Sequence, residues 1–292
     1  MIGIKRYSIH PPHVLTGKTS KGAKETARVV EYMEQKVSLA SKTKRPSFSA
    51  YADGEVKEVL STLFGGKCAY CESRYASTQP VDIEHYRPKA GVDEDPSHPG
   101  YYWLAANWDN LLPSCIDCNR VRLQKVRELT TENTSSENSG KGGRFPLFDS
   151  TKRARNPTDI LSDEQPLLLN PCVDDPKLFF IFTSDGIVKA SQSHLSLEQK
   201  RAETSIAIYG LNRPGLVYAR LEVLRLLQAR MFTISRLVRV LDKRKKLTMP
   251  LAVIIEDLVA YEMAELNAFS HHSRPYSQMC AQMIDEFMKT FQ

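Results

Sequence analysis

Cys68-Ala-Tyr-Cys71 and Cys115-Ile-Asp-Cys118 bracket 43 residues, and inside that bracket lie Val81-Asp-Ile-Glu-His-Tyr86 and Asn107-Trp-Asp-Asn-Leu-Leu112. Each C-x-x-C pair can supply two thiolates from one tight turn, so two pairs complete a tetrahedral zinc site. The long gap means that a folded segment sits between the knuckles. Two unrelated pairs, or a redox C-x-x-C, are the competing readings. Cys172 and Cys280 stand alone.

Within the bracket, Val81–Tyr86 alternates apolar and polar residues over the length of a strand that Pro88 stops, and Leu111-Leu112 reads as a second short strand. Tyr101–Asn107 reads as a short helix or turn, and Asn119–Arg127 as a helix. The order along the chain is then a carboxylate with a histidine, an asparagine, and a second asparagine beside the last knuckle.

Here the sequence resembles the HNH endonucleases, whose ββα fold presents a His, a middle Asn and a final His or Asn beside one catalytic cation. The resemblance makes His85 the first member, Asn110 the middle one and Asn119 the last, with Glu84 in the acidic position. It implies that His85 is the general base, for which an imidazole with a pKa near 6.5 is suited. A hard divalent cation, Mg²⁺ or Mn²⁺, would take oxygen from Glu84 and Asn119, while the thiolates keep Zn²⁺ for structure. Strand alternation puts Asp82 on the same face as Glu84, as a second ligand or a substitute for it. Asn110 would hold the loop around His85. Arg120, Arg122, Lys125 and Arg127, on a helix beside the metal, would clamp substrate phosphates, or face solvent. His98 reads as an ordinary loop residue.

The match can be narrowed. Met1-Ile-Gly-Ile-Lys-Arg6, Cys68-Ala-Tyr-Cys-Glu72, Ile83-Glu-His-Tyr-Arg-Pro-Lys89, Gly100–Leu112, Gly140-Lys-Gly-Gly-Arg-Phe-Pro-Leu147, Leu168-Leu-Asn-Pro171 with Asp174-Asp-Pro176, and Tyr209-Gly-Leu-Asn-Arg213 are similar to the nuclease subunit of Septu-type and retron-associated anti-phage systems. That resemblance spans about residues 1 to 220. It implies an effector nuclease that works beside an ABC-type ATPase subunit on DNA or transfer RNA. A zinc-stabilised nucleic-acid or protein-binding module with an inactive site, and an HNH enzyme of restriction or repair acting alone, are the alternatives.

The fold expected is α+β: a mostly helical chain around a zinc-bracketed ββα core. Its regions are an N-terminal helical region (1–64), the zinc-bracketed nuclease core (65–150), and a β-hairpin with a C-terminal helical region (151–292). Ala23, Ala27, Val30, Met33 and Val37 recur at helical spacing, as do Val56, Val59, Leu60, Leu63 and Phe64, a run that Gly65-Gly66 ends. Thr130–Gly143 holds only Thr, Glu, Asn, Ser, Gly and Lys, and reads as a mobile surface loop. Asp185-Gly186 between apolar arms signals a hairpin. The longest helix follows Pro214, with Leu216, Leu224, Leu227, Met231, Ile234, Val238 and Leu241 on one stripe.

Composition bounds the rest. The 292 residues carry 40 Lys and Arg against 34 Asp and Glu, with 41% hydrophobic residues, which excludes a disordered or low-complexity chain. Arg213–Lys246 alone holds ten basic and two acidic residues, a net of +8. Such a helix suits a phosphate backbone, and equally a solvated face or an acidic partner protein. No apolar run is long enough for a membrane helix, and the first ten residues lack a signal-peptide core. A cytoplasmic protein without membrane association is expected.

Overall fold

The computed structural model describes residues 1–38, 44–75, 79–127, 134–191, 196–243 and 248–291. Helix α1 (Lys21–Ser38) turns Gly22, Glu25 and Val29 inward, so the buried face is rotated from the apolar spacing, and Ala27 is exposed. The reason is Glu25: its carboxylate accepts hydrogen bonds from Ser49 N and Ala50 N, both 2.9 Å, and from Ser49 Oγ at 2.7 Å. Helix α2 (Gly54–Phe64) starts where Asp53 accepts from Glu55 N, and ends at Gly65 in the left-handed region. Val56, Leu60, Leu63 and Phe64 are its buried face.

Strands β1 (Asp82–His85) and β2 (Leu111–Ser114) pair antiparallel, with Glu84 opposite Leu112 and His85 opposite Leu111. One helical turn, α3 (Ile116–Asn119), follows. The helix expected over Asn119–Arg127 is not there: Arg122–Arg127 is strand β3, paired along its length with β4, Thr134–Ser139. The loop expected over Thr130–Gly143 is corrected with it, apart from residues 130–133, which lie outside the described residues. Backbone hydrogen bonding needs no apolar side chain, so a polar segment can pair while its composition reads as loop.

Strands β5 (Phe180–Phe182) and β6 (Val188–Ala190) form the hairpin turned by Asp185-Gly186, where Gly186 has φ +79° and Gly186 N donates to Thr183 O at 3.0 Å. Helices α4 (Ser196–Ile208), α5 (Pro214–Leu241), α6 (Met249–Ala268) and α7 (Ser277–Met288) complete the chain. Helix α5 buries Leu216, Val217, Arg220, Leu224, Leu227 and Ile234. Its basic residues are partly consumed internally: Arg213 and Arg220 are buried, and Arg230 pairs with Glu262 at 2.7 Å and Glu265 at 3.2 Å on α6. Residues 244–247, the end of the basic run, lie outside the described residues.

A single buried cluster runs from Met1 through Leu60, Tyr70, Tyr101, Leu112, Phe145 and Leu168 to Tyr209, Leu227 and Met279. The cysteine knuckles and the β1–β2 pair sit in it, so the site is held by packing from both ends of the chain. Among the described residues no helix is long and apolar enough to cross a membrane.

Candidate functional site

The sulfur atoms of Cys68, Cys71, Cys115 and Cys118 all lie within 4.8 Å of one another, and all four residues are buried. Cys71 Sγ and Cys115 Sγ are 3.8 Å apart. A Zn–S bond of about 2.3 Å in a tetrahedron puts sulfurs about 3.8 Å apart, so the cluster has the dimensions to hold one zinc ion. The knuckles are built locally. Cys68 N donates to Ser73 O at 2.9 Å and Glu72 takes φ +63°, while Cys115 caps α3 and accepts from Cys118 N and Asn119 N. Ala69 N donates to Pro113 O at 2.8 Å, which fixes the first knuckle to β2.

On β1, His85 is 6% exposed and its Nε2 lies 2.9 Å from Ala105 O. A carbonyl only accepts, so Nε2 carries the proton and Nδ1 keeps its lone pair. The Tyr51 ring meets the imidazole edge-on at 4.6 Å. Burial, reinforced by the Lys89 charge and opposed by the Ala105 bond, lowers the His85 pKa to about 3. The imidazole is therefore neutral throughout the cellular range, and a weaker base than the free imidazole that the sequence led us to expect.

Asn110 stands where the chain enters β2, opposite the exit from β1, with its carbonyl accepting from Tyr86 N at 2.9 Å. Its Oδ1 accepts from Arg87 N at 2.7 Å, and its Nδ2 donates to Arg87 O at 3.0 Å and Leu104 O at 3.2 Å. Leu104 precedes Ala105, so the same asparagine anchors both the turn after His85 and the strand of backbone that His85 bonds. Arg87 is held in turn by Glu164 at 2.8 Å.

The acidic residues are both engaged. Asp82 accepts from Asn119 Nδ2 at 3.0 Å and from Arg120 through Nε and Nη2, both at 3.0 Å. Glu84, nearly buried, is 2.7 Å from Lys141 Nζ, whose ammonium also donates to His85 O at 2.8 Å. Burial raises the Glu84 pKa against the pull of Lys141. Thus Asn119 meets Asp82, while Glu84 is met by a lysine that the sequence reading did not single out. Lys141 arrives because Lys141 N and Gly142 N donate to Cys118 O and Asn119 O, at 2.8 and 2.6 Å. The turn requires Gly140: with φ +103°, a Cβ there would lie 2.0 Å from Arg120 O.

Glu84, His85, Lys89, Asp93 and Gly142–Gly143 line a cleft of about 830 Å³. Lys89 Nζ lies 3.5 Å over the Tyr51 ring, beside His85. The four basic residues after the last knuckle are not on a helix. Arg120 is bound to Asp82, Arg122 pairs with Asp117, and Lys125 and Arg127 lie on β3. His98 donates from Nε2 to Ala154 O at 2.8 Å and accepts at Nδ1 from Gly100 N at 3.0 Å, so both ring nitrogens serve the fold. Lys141 and Lys89 carried one signal in the sequence, their place in the runs Gly140–Leu147 and Ile83–Lys89.

No family model matches the chain. Over 177 residues, 59% of the chain and 67% of the relative, it is 24% identical to a protein of Vibrio cholerae (serotype O1 biovar El Tor) named "Retron Vc95 putative HNH endonuclease". It is 28% identical to the Septu protein PtuA of Bacillus mycoides (strain KBAB4) over 172 residues, 58% of this chain but 20% of that protein. With the Septu protein PtuB of the same strain it shares 32% identity over 305 aligned residues, 99% of this chain and 91% of the relative. A match of that depth from end to end takes in the knuckles, the β1–β2 pair and the helical end together, and the chain belongs to the Septu PtuB family.

Proposed function

We propose that the chain is a metal-dependent HNH endonuclease that hydrolyses phosphodiester bonds of nucleic acid, and that it is the effector nuclease of an anti-phage defence complex. The observation that carries this reading is His85: a neutral imidazole, its Nε2–H committed to Ala105 O, lining a cleft with Glu84 and Asp93. In the proposed reaction Nδ1 takes the proton of the attacking water. Asn110 keeps the imidazole in register by fixing Arg87 and Leu104. The relatives named for Septu and for a retron HNH endonuclease support the same role.

The oxygen donors are of the kind a hard divalent cation takes, although of the three only Glu84 lines the cleft with His85. Asp82, Glu84 and Asn119 offer carboxylate and amide oxygens from β1 and α3, and Mg²⁺ is commonly held by one or two carboxylates with water and substrate phosphate. Bound there, Mg²⁺ or Mn²⁺ would supply charge to stabilise the phosphorane and the departing 3′ oxygen. Lys141 and Arg120 hold those carboxylates in place and offset their charge. Arg120, Arg122, Lys125 and Arg127 remain the proposed phosphate contacts, joined by Lys89 in the cleft. The cysteine cluster is proposed to hold zinc, which anchors β2 and α3. We keep 1–64, 65–150 and 151–292 as the proposed organisation, in the cytoplasm.

The partner proposed is an ABC-type ATPase subunit. A stretch similar to this chain lies inside the much longer PtuA of Bacillus mycoides, which supports physical association between the two kinds of segment. One observation favours a second reading, a binding module without catalysis: both carboxylates are already paired, with Lys141 and Arg120. Incubating the purified chain, alone and with its ATPase, with supercoiled plasmid and with total transfer RNA, in Mg²⁺ and in chelator, separates the two. Cleavage that needs the cation supports the nuclease; tight binding without cleavage under every condition supports the module.

A further inference from the structure

Tyr209-Gly-Leu-Asn-Arg213 joins α4 to α5 and closes over the cysteine cluster. The Tyr209 ring stacks on Tyr70 of the first knuckle at 3.8 Å. Asn212 pairs with Val188 through both ends of its amide, each bond 2.9 Å, and Asn212 O accepts from Arg127 N on β3 at 2.9 Å. The segment thus gathers the knuckle, the β5–β6 hairpin and β3 around one point, and that point is Arg213.

Arg213 is buried, and its guanidinium forks across the sulfurs. Nη1 lies 3.5 Å from Cys118 Sγ; Nη2 lies 3.5 Å from Cys71 Sγ and 3.7 Å from Cys115 Sγ. The fourth sulfur, Cys68 Sγ, has Ser114 Oγ at 3.8 Å. Nη1 also donates to Tyr209 O and Gly210 O, and Nε is 3.7 Å from Asp117 Oδ2. The position is a poor one for a cation on local grounds. Arg213 is the N-cap of a 28-residue helix, its side chain makes no capping bond, and a positive charge there opposes the helix dipole. Something else must account for it.

Four thiolates around one zinc ion carry a net charge of −2, and a buried net charge is costly unless it is compensated. We propose that Arg213 is the counter-cation of the zinc centre: a positioning residue that offsets part of the thiolate charge and ties the start of α5 to the metal. Its planar fork suits the task, since it reaches three sulfurs at once where a single ammonium reaches fewer. The proposal rests on the reading of the cysteines as a zinc site, and is independent of any nuclease activity.

The test uses the full chain with R213M and R213K. Zinc affinity is measured by competition with a chromophoric chelator, and the sulfur-to-metal charge-transfer band is recorded after Co²⁺ substitution. Outer partners of metal ligands typically contribute about 10–100-fold in affinity, and R213M is expected to lose that much. Its band moves to lower energy, because the sulfur lone pairs are no longer stabilised by the guanidinium. R213K falls between R213M and wild type in both readouts. R213M with wild-type affinity and an unmoved band overturns the proposal, and a wild-type chain that binds no zinc overturns it together with the zinc reading. If R213M does not fold, R213K decides: weaker zinc binding with a shifted band supports the forked contact, and identity with wild type refutes it.

Discussion

The Lys141 ammonium lies 2.7 Å from Glu84 Oε1, with the lysine side chain fully buried and the glutamate nearly so. A buried pair of this kind contributes little over an apolar substitute, yet removing one partner strands the other charge. Lys141→Met is therefore expected to destabilise the chain by about 3 kcal/mol. Adding Glu84→Gln to it should recover a large part of that loss, because no buried charge is then left alone. Chemical denaturation of the two singles and the double measures the coupling; additive losses would show that the pair is not coupled.

Asn110 makes three side-chain hydrogen bonds, one as acceptor and two as donor. Asn110→Ala should cost about 2 kcal/mol. Asn110→Asp keeps the shape but sets a carboxylate against the carbonyls of Arg87 and Leu104, and should cost at least as much. An aspartate variant as stable as wild type would contradict the assigned amide orientation.

His98 supplies a pH dependence. Burial lowers its pKa, with the charges of Arg153 and Arg155 adding to the effect against the Ala154 bond. The unfolded chain, with an ordinary pKa of about 6.5, then binds more protons than the folded one. The stabilisation is present above about pH 6.5 and is lost as pH falls below it toward the depressed folded value. Protonation at Nδ1 also breaks the bond from Gly100 N. Unfolding curves from pH 7.5 to 5 should show a steeper loss in wild type than in His98→Gln; equal slopes would rule His98 out as the source.

Cys115→Ser should release zinc and unfold the core, since zinc binding to such knuckles is coupled to folding. Metal content by mass spectrometry and a thermal melt test this together. A folded, zinc-loaded variant would remove Cys115 from the ligand set.

The elements that were legible in the sequence are those whose burial is local and periodic. Val56, Leu60 and Phe64 mark one face of α2, and Leu216, Leu224, Leu227 and Ile234 one face of α5. Asp185-Gly186 marks a turn by chemistry alone. The β3–β4 pair had no such mark, because residues such as Leu123 are exposed and Ser135–Ser139 hold no apolar group. At the candidate site, the residue types on β1 and beside the knuckles were readable. The cations that meet them were not, because Lys141 and Arg213 are brought in by turns from distant parts of the chain. Lysine and arginine in sequence read as solvated until a fold supplies their anions.

The central claim is that His85 acts as a base and has no part in holding zinc. The most direct measurement is the Mg²⁺-dependent cleavage rate of wild type and His85→Ala, each with the proposed ATPase subunit, alongside bound zinc and melting temperature. Loss of a general base typically costs 10²–10⁴-fold, so cleavage should fall by at least about 100-fold while zinc content stays at one per chain and the fold is retained. A His85→Ala chain that cuts at the wild-type rate, or that loses its zinc, would contradict the account.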